Sequence, residues 1–256
     1  MKIKTRMLAF IAFPILMAIL LIAGSSYVYS SRMVEDLSKS EMLATATKYG
    51  SDIETFITKE VAYANMLSET IALSDLSDDK LYKELIAITD KNSEILAAFV
   101  GFDDKRYLSG DQLPVDKDYD PRERDWYKDA MEYDHPYVSI PYEDASSGQT
   151  VITVSTQIKK DDKTIGVLGI DIFMKDIKEL INGIKLYDTG FAYVIDSEGY
   201  IVSYKDYEPS EELSKIEDGS KADLVDPILE GEDKTFYSVE DGVKRVNSKY
   251  DIIGTD

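Results

Sequence analysis

The start of the chain constrains it most. Lys2, Lys4 and Arg6 precede an apolar run from Met7 to Ala23, and no charged residue stands between Arg6 and Arg32. A helix needs about 20 mostly apolar residues to cross the hydrocarbon core of a bilayer, and this run supplies them. Pro14 bends such a helix and is tolerated there. The basic flank stays in the cytoplasm by the positive-inside rule, so all that follows is exported. A cleaved signal peptide is the alternative, with Ala23-Gly24-Ser25 as its cleavage site. The uncharged run continues well past that site, which favours an uncleaved anchor. Both readings put the remainder outside the cytoplasmic membrane.

Composition narrows the classes further. The 256 residues hold 29 Lys and Arg against 49 Asp and Glu, a formal charge of −20. Nucleic-acid affinity comes largely from basic side chains displacing counterions, so DNA and RNA are excluded as partners. A hydrophobic content of 44% is enough for a packed core. No Cys is present, which removes disulfides and zinc-thiolate sites.

From Tyr27 to Leu73 there is no Pro, and Gly50 is the only Gly. Ile53, Phe56, Ile57, Val61, Ala64, Leu67 and Ile71 recur at the period of an amphipathic helix. Such a helix, leaving the membrane directly, reads as a stalk that packs on a domain, on a second copy of the chain, or on both. Ser74 to Asp79 breaks it, and a short helix through Leu85 and Ile88 follows. The pattern then turns to strands: Ile95–Phe102, Arg106–Ser109, and a hairpin of Val151–Ile158 and Thr164–Ile172 about a polar turn. Lys175 to Ile184 reads as helix. Phe191–Ile195, a turn at Asp196–Gly199 and Tyr200–Ser203 repeat the earlier strand–turn–strand scheme. Thr235–Val239 and Val243–Val246 form a last hairpin, and Lys249 begins another strand pattern that runs to Asp256. The expected fold class is α+β, with two small lobes strung on one long helix.

Residues 119–142 are unlike the rest. The single Trp, Trp126, sits among Tyr119, Tyr127, Tyr137 and Tyr142, with Arg122 and Arg124 close by and Pro121, Pro136 and Pro141 interrupting regular structure. Aromatic walls and a guanidinium fork suit a small carboxylate. The same residues would equally serve as packing, with Trp126 and Tyr127 on a sheet and the two Arg paired to Asp120 and Glu123. Asp171 stands inside the most apolar strand. Unless that strand is bulged, it shares a face with Gly169 and Val167. Buried there it needs a cation, which a ligand ammonium or Arg124 would provide.

These residues resemble the double-Cache sensor domains of bacterial chemoreceptors and related transmembrane kinases. Asp120-Pro-Arg-Glu-Arg-Asp-Trp-Tyr-Lys-Asp-Ala130 is similar to the segment common to many members. Tyr119, Arg124, Trp126, Tyr142 and Asp171 match the amino-acid-binding subset in order and spacing. The resemblance implies two PAS-like (Cache) lobes with antiparallel sheets. It divides the chain into a cytoplasmic N-terminus (1–6), a transmembrane helix (7–29), a stalk (30–75), a distal ligand-binding lobe (76–174), a connecting helix (175–187) and a proximal lobe (188–256). It implies that Arg124, Trp126 and Tyr119 hold the carboxylate of an L-amino acid, and Tyr142 and Asp171 its ammonium. Tyr127 joins the candidate list beside Trp126. Asp125 departs from the family, where many members carry Pro. The expected assembly is a homodimer through the stalk, and a further strand and a second membrane helix are expected beyond residue 256.

Catalytic readings find little. His135 lies in a loop with no Cys and no evident triad partner. Asp196-Ser-Glu-Gly199 is too poor in ligands for a calcium loop, and no Gly-rich phosphate loop is present. The expectation is a receptor rather than an enzyme, with no cofactor and no metal.

Overall fold

The computed structural model describes residues 3–74, 76–240 and 242–252. Helix α1 runs unbroken over Ile3–Leu73. At about 1.5 Å per residue it is about 105 Å long, and Pro14 lies inside it. It alone among the described residues is long and apolar enough to cross a membrane. Its apolar side chains from Ile11 to Ile22 are exposed, with no other element covering them. Further along, Ile53, Ile57, Ala64 and Ile71 are buried against the first sheet, on the stripe that the periodicity marked.

After α1 come α2 (Asp78–Lys91), β1 (Ile95–Phe102), β2 (Tyr107–Ser109), a 3-10 turn at Pro121–Glu123, α3 (Asp125–Glu132), β3 (Tyr137–Val138), β4 (Tyr142–Glu143), β5 (Thr150–Lys160) and β6 (Lys163–Phe173). The strands form one antiparallel sheet in the order β2-β1-β6-β5-β3, with β4 also paired to β5. β5 and β6 meet at Asp161 and Asp162, whose φ values of 51° and 61° give the two-residue turn that suits the twist of a hairpin.

The two faces of this sheet differ in chemistry. On one face Ile152, Val154, Leu168, Ile170, Ile172, Ala98 and Val100 pack on α1. On the other, Thr153, Ser155 and Gln157 of β5 stand beside Asp171, Gly169 and Val167 of β6. Asp171 therefore keeps the unbulged alternation, and the bulge lies on the neighbouring strand, between Ile95 and Ala97. Two glycines make room on this second face. A Cβ at Gly169 would sit 2.3 Å from the Phe99 ring, and one at Gly101 would sit 2.8 Å from the Trp126 indole. α3 lies over this face, where Gln157 donates to the carbonyls of Ala130 and Tyr133.

The remaining elements are α4 (Met174–Asn182), β7 (Val194–Ile195), β8 (Ile201–Ser203), a 3-10 turn at Ile216–Gly219, α5 (Ala222–Leu229), β9 (Thr235–Glu240) and β10 (Val243–Ser248). The strands pair as two separate antiparallel ladders, β7–β8 and β9–β10. A register shift between Val194 and Ile195 ends the first ladder early. Phe191 and Tyr193, expected in a strand, instead pack their rings against Tyr204. The turn at Asp196 is a hairpin turn: its carboxylate accepts from the backbone of Glu198 and Tyr200, and Gly199 takes φ 90°. The strand expected from Lys249 makes no ladder through Ile252, and residues 253–256 lie outside the described part.

Gly50 has a role in this docking. The Tyr250 ring occupies the space where a Cβ would be, and its hydroxyl donates to Glu54 at 2.6 Å. A Gly inside a helix costs about 1 kcal/mol relative to Ala. Here it lets the chain after β10 lie on the stalk.

The sheet yields one test. Gly169→Ala forces the Phe99 ring to move within a closed core, and overpacking of this kind costs about 1–3 kcal/mol. The melting temperature should fall by about 2–10 °C for a domain of this size, as read by thermal circular dichroism. An unchanged melting temperature would show that Phe99 does not rest on Gly169.

Candidate functional site

The second face of the sheet carries a buried carboxylate. Asp171 is 3% exposed and lies opposite Thr153 on one side and Ala97 on the other. Thr153 Oγ1 donates to Asp171 Oδ1 at 2.6 Å, and the Tyr142 hydroxyl lies 2.7 Å from Thr153 Oγ1 and 3.3 Å from the same carboxylate oxygen. Strand β4 holds Tyr142 by pairing it with Val151. Oδ2 accepts no hydrogen bond and Asp171 makes no ion pair among the described residues. Burial pushes the Asp171 carboxyl up to about 7. Asp144 and Asp111 add repulsion, while the bonds from Thr153 and Tyr142 oppose the shift. Burial and the neighbouring Asp171 raise the Tyr142 phenol above its ordinary value, so it stays a hydroxyl and a donor.

Rings wall the space beside this carboxylate. Phe99 lies over Gly169, with Trp126 edge-on to it at 4.9 Å and Tyr107 at 5.8 Å. Tyr119 packs on Tyr107 at 4.8 Å. Burial raises the Tyr119 phenol, with Arg124 and the Trp126 indole acting against that rise. Tyr107 is likewise raised by burial, with Tyr119 and Asp171 close to it. The edge-on geometry is the favoured one for aromatic pairs.

The two arginines of the segment have different fates. Arg122 is consumed by structure: its guanidinium grips Asp120 at 3.0 and 2.9 Å and also donates to the Asp103 carbonyl. Asp120 in turn caps the 3-10 turn through the Arg122 backbone N–H, and the Arg122 bond holds its carboxyl well below the usual range. Arg124 sits at the kink between that turn and α3, in extended conformation, with its carbonyl receiving the first N–H groups of α3. Its guanidinium is half-buried and makes no ion pair among the described residues. It does not neutralise Asp171. Asp125, at the first position of α3, is exposed and 3.9 Å from Lys128. A helix start favours both an acid and a proline there, so the departure from the family costs the helix nothing.

Tyr119, Arg124, Trp126, Tyr142 and Asp171 thus come from one side of the sheet and the segment folded over it. Tyr127 does not face the same way. It is buried behind Trp126, at 5.6 Å between rings, and the charges nearest its phenol are Asp103, Arg122 and Asp120. Three contributors were not singled out from the sequence: Thr153, Tyr107 and Phe99. Thr153 had a signal, because Thr153, Ser155 and Gln157 alternate with Ile152, Val154 and Ile158 and so mark a polar face. Tyr107 and Phe99 had none, since each reads as an ordinary strand residue.

Arg124, Trp126 and Tyr142 also line a cleft of about 1330 Å³ between the sheet and the C-terminal hairpins. The arrangement offers a cation near Tyr119, a carboxylate oxygen at Asp171 and rings between them, which is the complement of a small zwitterion. Among the described residues no group of three or more His, Cys, Asp and Glu is placed to hold a metal ion. His135 is exposed and lies 3.0 Å from the Pro136 carbonyl.

Known proteins were compared with this chain. The methyl-accepting chemotaxis protein PscA of Pseudomonas syringae pv. tomato is 27% identical over 66% of the chain, and McpC of Bacillus subtilis is 24% identical over 99% of it. The chain spans only 27% and 38% of those two proteins' length. In structure it is similar to the ligand-binding domain of the Pseudomonas aeruginosa amino acid chemoreceptor PctB in complex with L-Arg. The TM-score is 0.72 at 19% identity, over 86% of this chain and 91% of that one. It is equally similar to the ligand-binding domain of the Pseudomonas fluorescens chemoreceptor CtaA in complex with L-isoleucine. There the TM-score is 0.72 at 20% identity, over 88% and 90%. At these identities the likeness speaks for the fold. A family model described as Cache domain matches residues 30–250, from the stalk to the last hairpin, and the chain therefore belongs to the Cache-domain family.

Proposed function

We propose that this chain is the extracytoplasmic sensor region of a bacterial chemoreceptor, anchored by α1, and that it binds an L-amino acid on the second face of the first sheet. The observation that carries this reading is that Arg124 and Asp171, of opposite charge, each lack an ion-pair partner among the described residues and lie among aromatic rings. Arg124 with Tyr119 and Trp126 takes the carboxylate. Asp171 with Tyr142 takes the ammonium, and Thr153 fixes the carboxylate's orientation. Tyr127 supports Trp126 from behind. In this reading 76–174 is the distal, ligand-binding lobe and 188–256 the proximal one. That PscA and McpC are methyl-accepting chemotaxis proteins supports the receptor role. The chain works by binding rather than catalysis, and a ligand shifts such a receptor only through a difference in affinity between its states.

Truncating one partner of a desolvated charge pair costs about 2–5 kcal/mol, which is one to several decades of affinity. Arg124→Ala and Asp171→Asn should each abolish calorimetric binding of the amino acid that the wild-type chain selects from a panel of the common ones. Tyr127→Phe should bind as wild type. An Asp171→Asn protein that is folded and binds normally would sink the ammonium assignment.

The raised Asp171 carboxyl gives a pH signature with a definite sign. An ammonium needs the carboxylate, so affinity should climb by up to tenfold per pH unit as pH rises towards about 7, and level off above it. Without ligand the folded state holds a proton that the unfolded state releases at an ordinary value of 3.8. This contribution to stability is full below that value and is lost as pH rises through about 7. Titrations and denaturant melts across pH 4–8 should find both slopes, and Asp171→Asn should flatten the stability slope.

The stalk supplies the partner surface. Met33, Val34 and Leu37 are exposed on α1 beyond the span, and a second copy is the occupant that the reading implies. Held in one membrane at high effective concentration, two stalks should associate there although the association is weak in solution. Cysteines placed one at a time at positions 30–37 should crosslink between copies with helical periodicity. Absence of crosslinks at every position would argue for a monomer.

A further inference from the structure

The C-terminal hairpins hold a second cluster of charges and rings, distinct from the one around Asp171. Glu240, at the end of β9, is 6% exposed, and Lys221, just before α5, is 7% exposed. They form an ion pair at 2.7 Å. Ser238 donates to the other Glu240 oxygen at 3.2 Å, and Asn247 donates to Ser238 at 2.9 Å. Arg245, opposite Ser238 on β10, points its Nε at Glu240 from 3.7 Å, too far for a hydrogen bond. That Nε is shielded from solvent and has no hydrogen-bond partner.

Charge counting makes the cluster cationic. Lys221 and Arg245 share one buried carboxylate. Glu217, 3.8 Å from Lys221, is half exposed and screened by water. The Tyr193 ring, 4.8 Å from Tyr204, forms part of an aromatic nest with Phe191. Tyr193, Phe236, Arg245 and Asn247 all line the cleft, and the Tyr193 hydroxyl makes no hydrogen bond among the described residues. The shielded Arg245 Nε is a donor without a partner, which is expensive, and Arg245 lines the cleft beside Tyr193 and Phe236.

We propose that Arg245, Tyr193 and Phe236 form a second small-molecule site, which takes a monocarboxylate with a flat apolar body. The ligand carboxylate accepts from Arg245 and the Tyr193 hydroxyl, and its ring lies between Tyr193 and Phe236. An amino acid does not suit this site. Glu240 is already satisfied by Lys221 and Ser238, so no carboxylate remains for an ammonium. The two sites therefore sort ligands by chemistry: zwitterions at Asp171, simple carboxylates at Arg245.

The test uses the full chain in lipid nanodiscs, with Arg124→Ala as background so that the first site is silent. Benzoate is the probe, with L-phenylalanine as the zwitterionic counterpart. Benzoate should bind in this background and L-phenylalanine should not. Adding Arg245→Gln, or Arg245→Lys, which keeps the charge and removes the fork, should weaken benzoate at least tenfold. Arg245→Gln alone should leave binding of the amino acid at the first site unchanged. Absence of benzoate binding in the Arg124→Ala background overturns the proposal, as does equal binding with and without Arg245→Gln. Should Arg245→Gln fail to fold, Arg245→Lys and Tyr193→Phe carry the test, and undiminished benzoate binding in both overturns it.

Discussion

A carboxylate buried in the middle strand of a sheet, with no ion-pair partner among the described residues, is the constraint on which the first sheet and its cover depend. Desolvation of an unpaired charge is costly, and the fold answers in two ways. Thr153 and Tyr142 give Asp171 neutral hydrogen bonds, and burial lifts the carboxyl so far that a proton partly replaces the missing cation. Neither answer removes the cost at neutral pH. A position like this favours a ligand that brings its own positive charge.

The rest of the arrangement packs around that position. Gly169 and Gly101 lower the floor so that Phe99, Trp126 and Pro121 can come close to the sheet. Arg122 spends its guanidinium on Asp120 and so fixes the turn from which Arg124 projects. One arginine is thereby bound into the scaffold and the next is left with charge to offer. The covering helix α3 is tied down from below by Gln157, so the aromatic walls rest on the same strand that carries Thr153.

Connection to the stalk comes through packing on the opposite face. Ile170 and Ile172 flank Asp171 in sequence and lie against α1 through the first core cluster, so one strand touches the site with one side chain and the stalk with the next. The C-terminal elements reach the same helix by other contacts. Tyr250 settles over Gly50 and bonds Glu54, while Tyr237 bonds Glu35 and receives Lys39 on its ring face at 4.7 Å. A shift of the sheet against α1 would be felt along much of its length.

The sequence by itself determined the apolar N-terminal helix, its amphipathic continuation and the main strands, because hydrophobic periodicity is local: about 20 apolar residues are long enough to span a bilayer, a 3.6-residue stripe needs a partner, and alternation sets a face. It also placed Asp171 on the face of Gly169 and Val167, since side chains alternate along an unbulged strand. What it left open was pairing. Whether Arg122 or Arg124 met Asp120, and whether Arg124 met Asp171, depended on the kink at the start of α3 and on how that helix lies over the sheet. Tyr127 looked equal to Trp126 in the chain, yet successive positions on a helix face about 100° apart, and only the packing of α3 decided which ring turned to the site. Thr153 reaches Asp171 across a strand pairing 18 residues apart in the chain, and Phe99 reaches Gly169 from a more distant strand; long-range register is a property of the tertiary structure alone.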